Sequence, residues 1–353
     1  MKTLRYSLIA LLSFALVVGL GAPNVGAKEL QTTYEGPSGL SNAVTFGGYY
    51  EFEYEDVANS PGDFDQHRTI LFFGAQPHER LRFFNELELE HGGHPDVKLE
   101  QSWLEFSLNE NHNFRGGIDL IPVGRKNINH DGNLRDFVFR PYTADRLIPT
   151  TWFESGLSFN GEVSNVSYRI GMSNGLEPAD STGGRGEIAS MVNSNLDERD
   201  QNGSKAVWGR VAFNPVLGTE IALSGYQSNY DTGTSRNNSI RFIALDFNSI
   251  QGPWEFTGEF VDVVKDQQTP GGLEGAGGGY VEAAYHFFPD ALRDSFIASD
   301  FDNPTFTALA RYETLGYDEQ PPGAAELDET YTSIGFNYRP IERVAYKASY
   351  DIQ

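Results

Sequence analysis

The chain has no cysteine. Disulfides therefore hold nothing together, and thiolate metal sites and cysteine nucleophiles are excluded. It is also poor in cations: 26 Lys and Arg face 49 Asp and Glu, for a formal charge of −23. Nucleic acid needs a basic footprint, so it is excluded as a partner. After the first twenty residues no apolar run approaches the ~20 residues of a membrane-spanning helix, which rules out an α-helical membrane protein. What is abundant is aromatic and small: 25 Phe, 17 Tyr and 38 Gly, a mixture that suits strands and tight turns.

The N-terminus reads MKTLRYSLIALLSFALVVGLGAPNVGA. Lys2 and Arg5 precede an apolar stretch from Ser7 to Leu20, and Val25-Gly26-Ala27 offers a small-residue cleavage site. These are the marks of a secretory signal peptide, and the apolar stretch is short for a membrane anchor. The sequence thus divides into a signal peptide at 1–27, an N-terminal periplasmic segment at 28–43 and a β-barrel pore domain at 44–353. Loss of Lys2 and Arg5 takes the charge from −23 to −25.

A two-residue period runs through the remainder. In ERLRFFNELELE, Leu81, Phe83, Leu87 and Leu89 alternate with Arg82, Glu86, Glu88 and Glu90. In VTFGGYYEFEYED, Phe46, Tyr50, Phe52 and Tyr54 alternate with Tyr49, Glu51, Glu53 and Glu55. GPWEFTGEFV, GYVEAAYHF and YTSIGFNY repeat the pattern, whereas the run from Phe242 to Phe247 does not alternate cleanly. Such alternation predicts half-buried strands, about fifteen of them at roughly ten residues each, a length that crosses a bilayer when tilted.

The connections alternate in length. VANSPGDFDQ, Gly124 to Thr150, Asn174 to Ser204, SNYDTGTSRNN, KDQQTPGGLEGAG and GYDEQPPGAAELDE are long, while QPH, NENHN, GEVSN, NPVLG, SIQGP and RPIE are short. HGGHPD is short for the long-loop end, and Phe288 to Pro304 is long for the short-turn end, with room for a short helix. Tight turns at one rim and long loops at the other define a transmembrane up-and-down antiparallel β-barrel, all-β, in an outer membrane. Bacterial barrels use an even strand number, and the chain stops at Gln353 inside a strand-like run. The expectation is therefore sixteen strands, with the last missing from this chain.

EQSWLEFSLN, LIPVGRKNINH and RLIPTTWFESG, within a region strongest at 99–163, resemble the phosphate-selective porin O and P family, broadly taken. The resemblance implies a sixteen-stranded outer-membrane porin of a Gram-negative envelope, a homotrimer, set in outer-membrane lipid and lipopolysaccharide. In general porins the loop between the fifth and sixth strands folds inward and narrows the pore. Here that connection, residues 124–150, carries Arg125, Lys126, Arg135, Arg140 and Arg146 against Asp131, Asp136 and Asp145, a local excess of two cations. His130 adds to it below neutral pH. Arginines in a pore favour anions, because guanidinium donors replace lost hydration. Arg82 and Arg115 on the wall join the candidates. Glu51, Glu53, Glu86, Glu88 and Glu105 form an opposing acidic wall, and the two arrays set a field across the hole. The charges could equally pair with one another and simply hold the loop to the wall. With seven lysines, one of them in the signal peptide, phosphate itself is a weaker inference than anions.

The reading is a porin passing small hydrophilic solutes or inorganic anions, with no cofactor, no metal and no catalytic residues. Two alternatives are a closed structural or adhesive barrel and an outer-membrane lipid hydrolase, for which no Ser-His pair stands out. The histidines of HGGHPD and the glycines of TPGGLEGAGGGY are solvated loops in this reading. The acidic stretches Asp197–Asp200 and Asp318–Glu329 are candidates for calcium bridging to lipopolysaccharide.

Overall fold

A computed structural model describes residues 7–13, 33–35, 41–56, 61–93, 95–178, 185–194, 203–230, 238–266, 272–318 and 328–353. The chain is all-β. Fifteen barrel strands follow one another: β1 Ser41–Glu55, β2 Asp63–His78, β3 Leu81–Glu90, β4 Asp96–Ser107, β5 His112–Leu120, β6 Phe153–Val163, β7 Val166–Asn174, β8 Lys205–Phe213, β9 Thr219–Asn229, β10 Ser239–Gln251, β11 Trp254–Lys265, β12 Gly275–Phe287, β13 Thr305–Asp318, β14 Glu329–Ile341 and β15 Val344–Ile352. Each pairs antiparallel with its sequence neighbour.

The alternation resolves as polar inside and apolar outside. On β10, Ile243 and Leu245 are exposed while Asp246 and Asn248 are buried. On β11, Phe256 and Phe260 are exposed while Thr257 and Glu259 are buried; on β14, Ile334 and Phe336 oppose Ser333 and Asn337 in the same way. A water-soluble sheet would show the reverse. This distribution suits a wall with hydrocarbon outside and a polar lumen within. Around the short-turn rim of β11–β15, outer-face rings form a chain, from Trp254 to Tyr285 at 4.6 Å and from Phe306 to Phe336 and Tyr338 at 5.2 and 5.3 Å. Interfacial girdles of this kind anchor barrels at the headgroup level.

One rim carries the links 79–80, 108–111, 164–165, 214–218, 252–253, 288–304 and 342–343. All but one are tight turns. Phe288 to Pro304 contains the expected short helix, a single 3₁₀ turn at Asp290–Leu292. It folds against the outer wall, where Tyr338 donates its hydroxyl proton to the Ile297 carbonyl.

Two further pairings involve residues ahead of position 44. The first barrel strand begins at Ser41, not at residue 44, and Thr33–Glu35 pairs with its first three residues, inside the segment assigned to the periplasm. Ser7–Ser13, within the segment set aside as a signal peptide, lies antiparallel to β15 from Ser7↔Asp351 to Ser13↔Ala345 and meets β1 at Leu12↔Phe52. The fifteen strands do not close on one another. A strand edge with unpaired N–H and C=O groups takes up an available extended segment, and seven residues between β15 and β1 satisfy it here.

Candidate functional site

The connection between β5 and β6 folds into the lumen and touches the wall on several sides. Its neck is closed by Asn127, whose Nδ2 donates to the carbonyls of Ile121 and Trp152 at 2.7 and 2.8 Å and whose Oδ1 accepts from the Trp152 amide at 2.7 Å. Gly124 enters with φ of 73°, and its amide donates to Ser224 Oγ on β9 at 3.0 Å. That conformation strains any residue with a Cβ. It delivers the amides of Arg125 and Lys126, the start of the short helix α1 (Arg125–Ile128), to the carboxylate of Glu259 on β11.

The basic residues of the loop all find partners. Arg125 pairs with Glu220 on β9 at 2.8 Å and Lys126 with Glu282 on β12 at 3.0 Å. Arg135 pairs with Glu51 on β1 at 2.8 Å. Arg146, at the end of α2 (Tyr142–Arg146), pairs with Glu329 on β14 and reaches the Tyr331 hydroxyl at 3.1 Å. Arg140 donates to the backbone carbonyls of Thr150 and His130, the latter at 3.2 Å. Burial, with Arg68 and Arg135 nearby, lowers its pKa to about 10.

Other wall groups fix the loop's backbone. Glu313 on β13 accepts from the amides of Tyr142 and Thr143 and from Thr143 Oγ1, each at 2.8 Å, which satisfies the free amides at the start of α2. Asn337 donates to the Asp136 carbonyl at 2.8 Å, Lys347 to that of Gly132 at 2.7 Å, and Arg311 to that of Phe139 at 3.1 Å. Gly132 itself lies so close to the wall that a Cβ would stand 2.0 Å from Glu51 Oε1.

Of the wall candidates, Glu51, Glu53, Glu86, Glu88 and Glu105 all face inward and are buried. They are not a bare acidic surface across from the loop. Arg68 on β2 bridges Glu51 and Glu88 at 3.1 and 3.2 Å, and Glu53 lies 3.8 Å from Arg135. Arg82 and Arg115 both converge on Glu105, Arg115 at 2.7 Å, with its guanidinium 3.7 Å above the Trp103 ring. Sequence reasoning missed the acids of β9, β11, β12, β13 and β14 that hold the loop. Glu259 and Glu282 stood on the polar side of alternating runs, but periodicity does not say what a polar residue meets.

His130 at the loop tip is buried, with Nε2 3.0 Å from Glu100 Oε2 on β4. Burial works against its charge, but the hydrogen bond to Glu100 and the nearby carboxylates of Glu86 and Asp131 outweigh it and raise the pKa to about 10.

One part of the lumen is apolar. Trp152 packs on Tyr226 and Phe242, with ring centroids at 4.6 and 5.1 Å. Ile188, Met191 and Val192 of a third helix, α3 (Glu187–Ser194), join the same buried cluster as Leu147 and Ile148. Helix α3 comes from the β7–β8 connection, and Lys265 on β11 ties it down through Glu187 at 2.6 Å. Among the described residues, open space includes two cavities. One, of about 750 Å³, is lined by Arg125, Lys126, Arg339, Glu282 and His286, among others. The other, of about 620 Å³, is bordered by Arg115, Arg169, Arg210 and Glu220.

A barrel wall of up-and-down strands with a loop folded into its lumen defines the porin-type outer-membrane β-barrel fold. Solved structures agree. The chain is similar to OmpT, an outer membrane protein of Vibrio cholerae, with a TM-score of 0.56 and 10% identity over 88% of this chain and 96% of that one. It is similar to the outer membrane channel DcaP of Acinetobacter baumannii, with a TM-score of 0.53 and 11% identity over 99% of this chain and 93% of that one. In sequence it is 28% identical to an uncharacterized protein of Aquifex aeolicus (strain VF5), over 88% of this chain and 76% of the relative. No family model matches the chain.

Proposed function

We propose that the chain is an outer-membrane porin giving passive diffusion to small hydrophilic solutes, with anions favoured where the inward loop narrows the lumen. The observation that carries the proposal is the larger cavity. Arg125, Lys126, Arg135, Arg339 and Arg343 face four carboxylates there, in a protein whose overall charge is −23. Against the acidic whole, that cavity is locally balanced to positive. Arg125, Lys126 and Arg339 keep part of their side chains exposed while paired. A partly solvated guanidinium still offers donors to a passing anion. Arg82, Arg115, Arg135, Arg140 and Arg146 serve in this reading mainly to hold the loop and balance acids: Glu51 and Glu53 face Arg135 and Glu105 faces Arg82 and Arg115, while Glu88 is balanced by Arg68 and Glu86 meets His130.

Export with removal of residues 1–27, assembly as a homotrimer, contact with lipopolysaccharide and kinship with the phosphate-selective porin O and P family belong to the same proposal. Phosphate as the preferred solute rests on that kinship alone. The acidic stretch Asp197–Asp200 lies outside the described residues, as does most of Asp318–Glu329, so calcium bridging there stays a proposal too.

Planar-bilayer recording tests the reading. Stepwise conductance with a reversal potential favouring anions supports it. Conductance that favours cations removes the anion half of the proposal.

One observation favours a second reading, a closed barrel: the apolar cluster around Trp152, which excludes water from part of the lumen. In that case the intact protein is silent and conducts only once the loop is loosened.

A further inference from the structure

The loop tip at His130 and Asp131 docks on a part of the wall that the diffusion reading leaves without a role. A β-bulge prepares that wall. Glu86 pairs with Gln101 and Leu87 with Leu99, so Glu100 is an extra residue in β4. A bulge breaks the two-residue period and re-aims a side chain. Glu100 is thereby turned to the lumen beside Gln101, and Gln101 donates to Glu86 Oε2.

Three carboxylates then converge on one imidazole nitrogen. His130 Nε2 lies 3.0 Å from Glu100 Oε2, 3.5 Å from Glu86 Oε1 and 3.8 Å from Asp131 Oδ1. Glu86, Glu100 and His130 are buried. Among the described residues no lysine or arginine forms an ion pair with Glu86, Glu100 or Asp131; Arg68 is engaged with Glu51, Glu88 and Glu90. Even a protonated His130 leaves the group with surplus negative charge, and surplus charge in a buried place is costly. Glu86 adds a specific sign. It is fully buried, its Oε1 has no hydrogen-bond partner, and that atom points at Nε2.

We propose that Glu86, Glu100, Asp131 and His130 form a binding site for a divalent transition-metal ion of the zinc type. The donor atoms of Glu86, His130 and Asp131 already lie within 4.8 Å of one another. In a tetrahedron with bonds of ~2.0–2.1 Å, donors stand about 3.3 Å apart, and the three separations from Nε2 scatter around that value. An imidazole among carboxylates suits zinc and its neighbours, whereas magnesium and calcium take all-oxygen shells. Outer hydrogen bonds orient two of the ligands: Gln101 holds Glu86, and the Tyr49 hydroxyl holds Asp131 at 2.9 Å. The negative field of the three carboxylates draws a dication. The ion joins the loop tip to β3 and β4 and so fixes the loop on that side.

The test uses the full chain refolded in detergent and stripped of metal. Calorimetric titration with Zn²⁺ measures binding, and the visible absorption of Co²⁺ reports tetrahedral nitrogen and oxygen coordination. The proposal expects one tight site per chain, a higher Tm with Zn²⁺, and affinity lower by about tenfold or more in His130→Gln and Glu86→Gln. Removing a direct ligand costs at least what removing an outer partner costs. Asp131→Asn, at the less buried end of the group, gives the same readout where a buried variant fails to fold. Glu255→Gln, in the separate Asp136, Glu255 and His286 group, leaves the tight site unchanged. Absence of stoichiometric binding to the folded parent overturns the site and assigns its charge balance to protons. Undiminished binding in folded Asp131→Asn and His130→Gln overturns it equally.

Discussion

Trp152, where the inward loop rejoins the wall, packs its indole against Phe242 on the lumen side of β10 with ring centroids 5.1 Å apart. Both rings are fully buried. Trp152→Ala leaves a cavity under the loop and costs about 3–5 kcal/mol. Because the cavity lies inside the barrel, strand pairing survives and the loop loosens. The expected outcome is a lower Tm in detergent, earlier proteolytic cutting within 124–150, and larger or noisier conductance than the parent.

Glu51 holds two cations, Arg68 at 3.1 Å and Arg135 at 2.8 Å; its loss leaves Arg68 with Glu88 and Glu90 and leaves Arg135 with only the more distant Glu53 at 3.8 Å. Removing one partner of a buried ion pair destabilises by about 3–5 kcal/mol. Glu51→Ala is expected near the lower end of that range, since Arg68 keeps other carboxylates, and Arg135→Ala below it, because Arg68 still serves Glu51. Gly132→Ala should resemble Arg135→Ala, since its methyl group would press on the same carboxylate. Urea unfolding midpoints in detergent rank the three.

Lys126 and Arg125 meet the larger cavity with partly exposed side chains. Reversing the charge at Lys126 by Lys126→Glu should shift the permeability ratio toward cations by roughly fivefold, equivalent to about 1 kcal/mol. The reversal potential in a salt gradient reads it directly. Screening makes the shift smaller at high salt. Arg82→Gln, near the short-turn rim and already paired with Glu105, should move it far less.

The outer face makes its own prediction. Leu245, mid-strand on β10 and half exposed, meets hydrocarbon in this account. Leu245→Arg should cost about 2–4 kcal/mol in lipid, the range for a cation near the bilayer midplane. Asn248→Arg, which projects into the larger cavity, should cost clearly less. Equilibrium folding into vesicles measures both.

How far the sequence could be read depends on what each face meets. Where one face met lipid and the other met charge, as in Phe256, Thr257 and Phe260, the period of two was plain. The run from Phe242 to Phe247 defeated it for a physical reason: Phe242 and Ala244 face the lumen but meet the apolar cluster, so both faces of that strand are greasy. Phe84 and Glu100 mark another limit. Phe84 is an apolar ring on the otherwise charged lumen face, tilted against Trp103, and the bulge brings Glu100 to the lumen; a simple apolar–polar alternation shows neither. The inward course of 124–150 came from resemblance to porins, not from periodicity. Helix α3 carried a usable signal, with Ile188, Met191 and Val192 at helical spacing. The loop's basic residues were legible as a charge excess, but their individual partners were set by the circumference of the wall, which no local pattern encodes.

The absence of cysteine permits the most direct test of the central claim, that the apolar side chains meet hydrocarbon while the polar ones surround water. Single substitutions Leu245→Cys and Phe260→Cys on the outer face, and Asn248→Cys and Thr257→Cys on the lumen face, are labelled in proteoliposomes. The account predicts that Asn248→Cys and Thr257→Cys react with a charged, water-soluble maleimide. Leu245→Cys and Phe260→Cys should resist it, and a fluorophore placed there should be quenched by lipid-borne quenchers. The reverse pattern, or equal reactivity on both faces, would contradict the account.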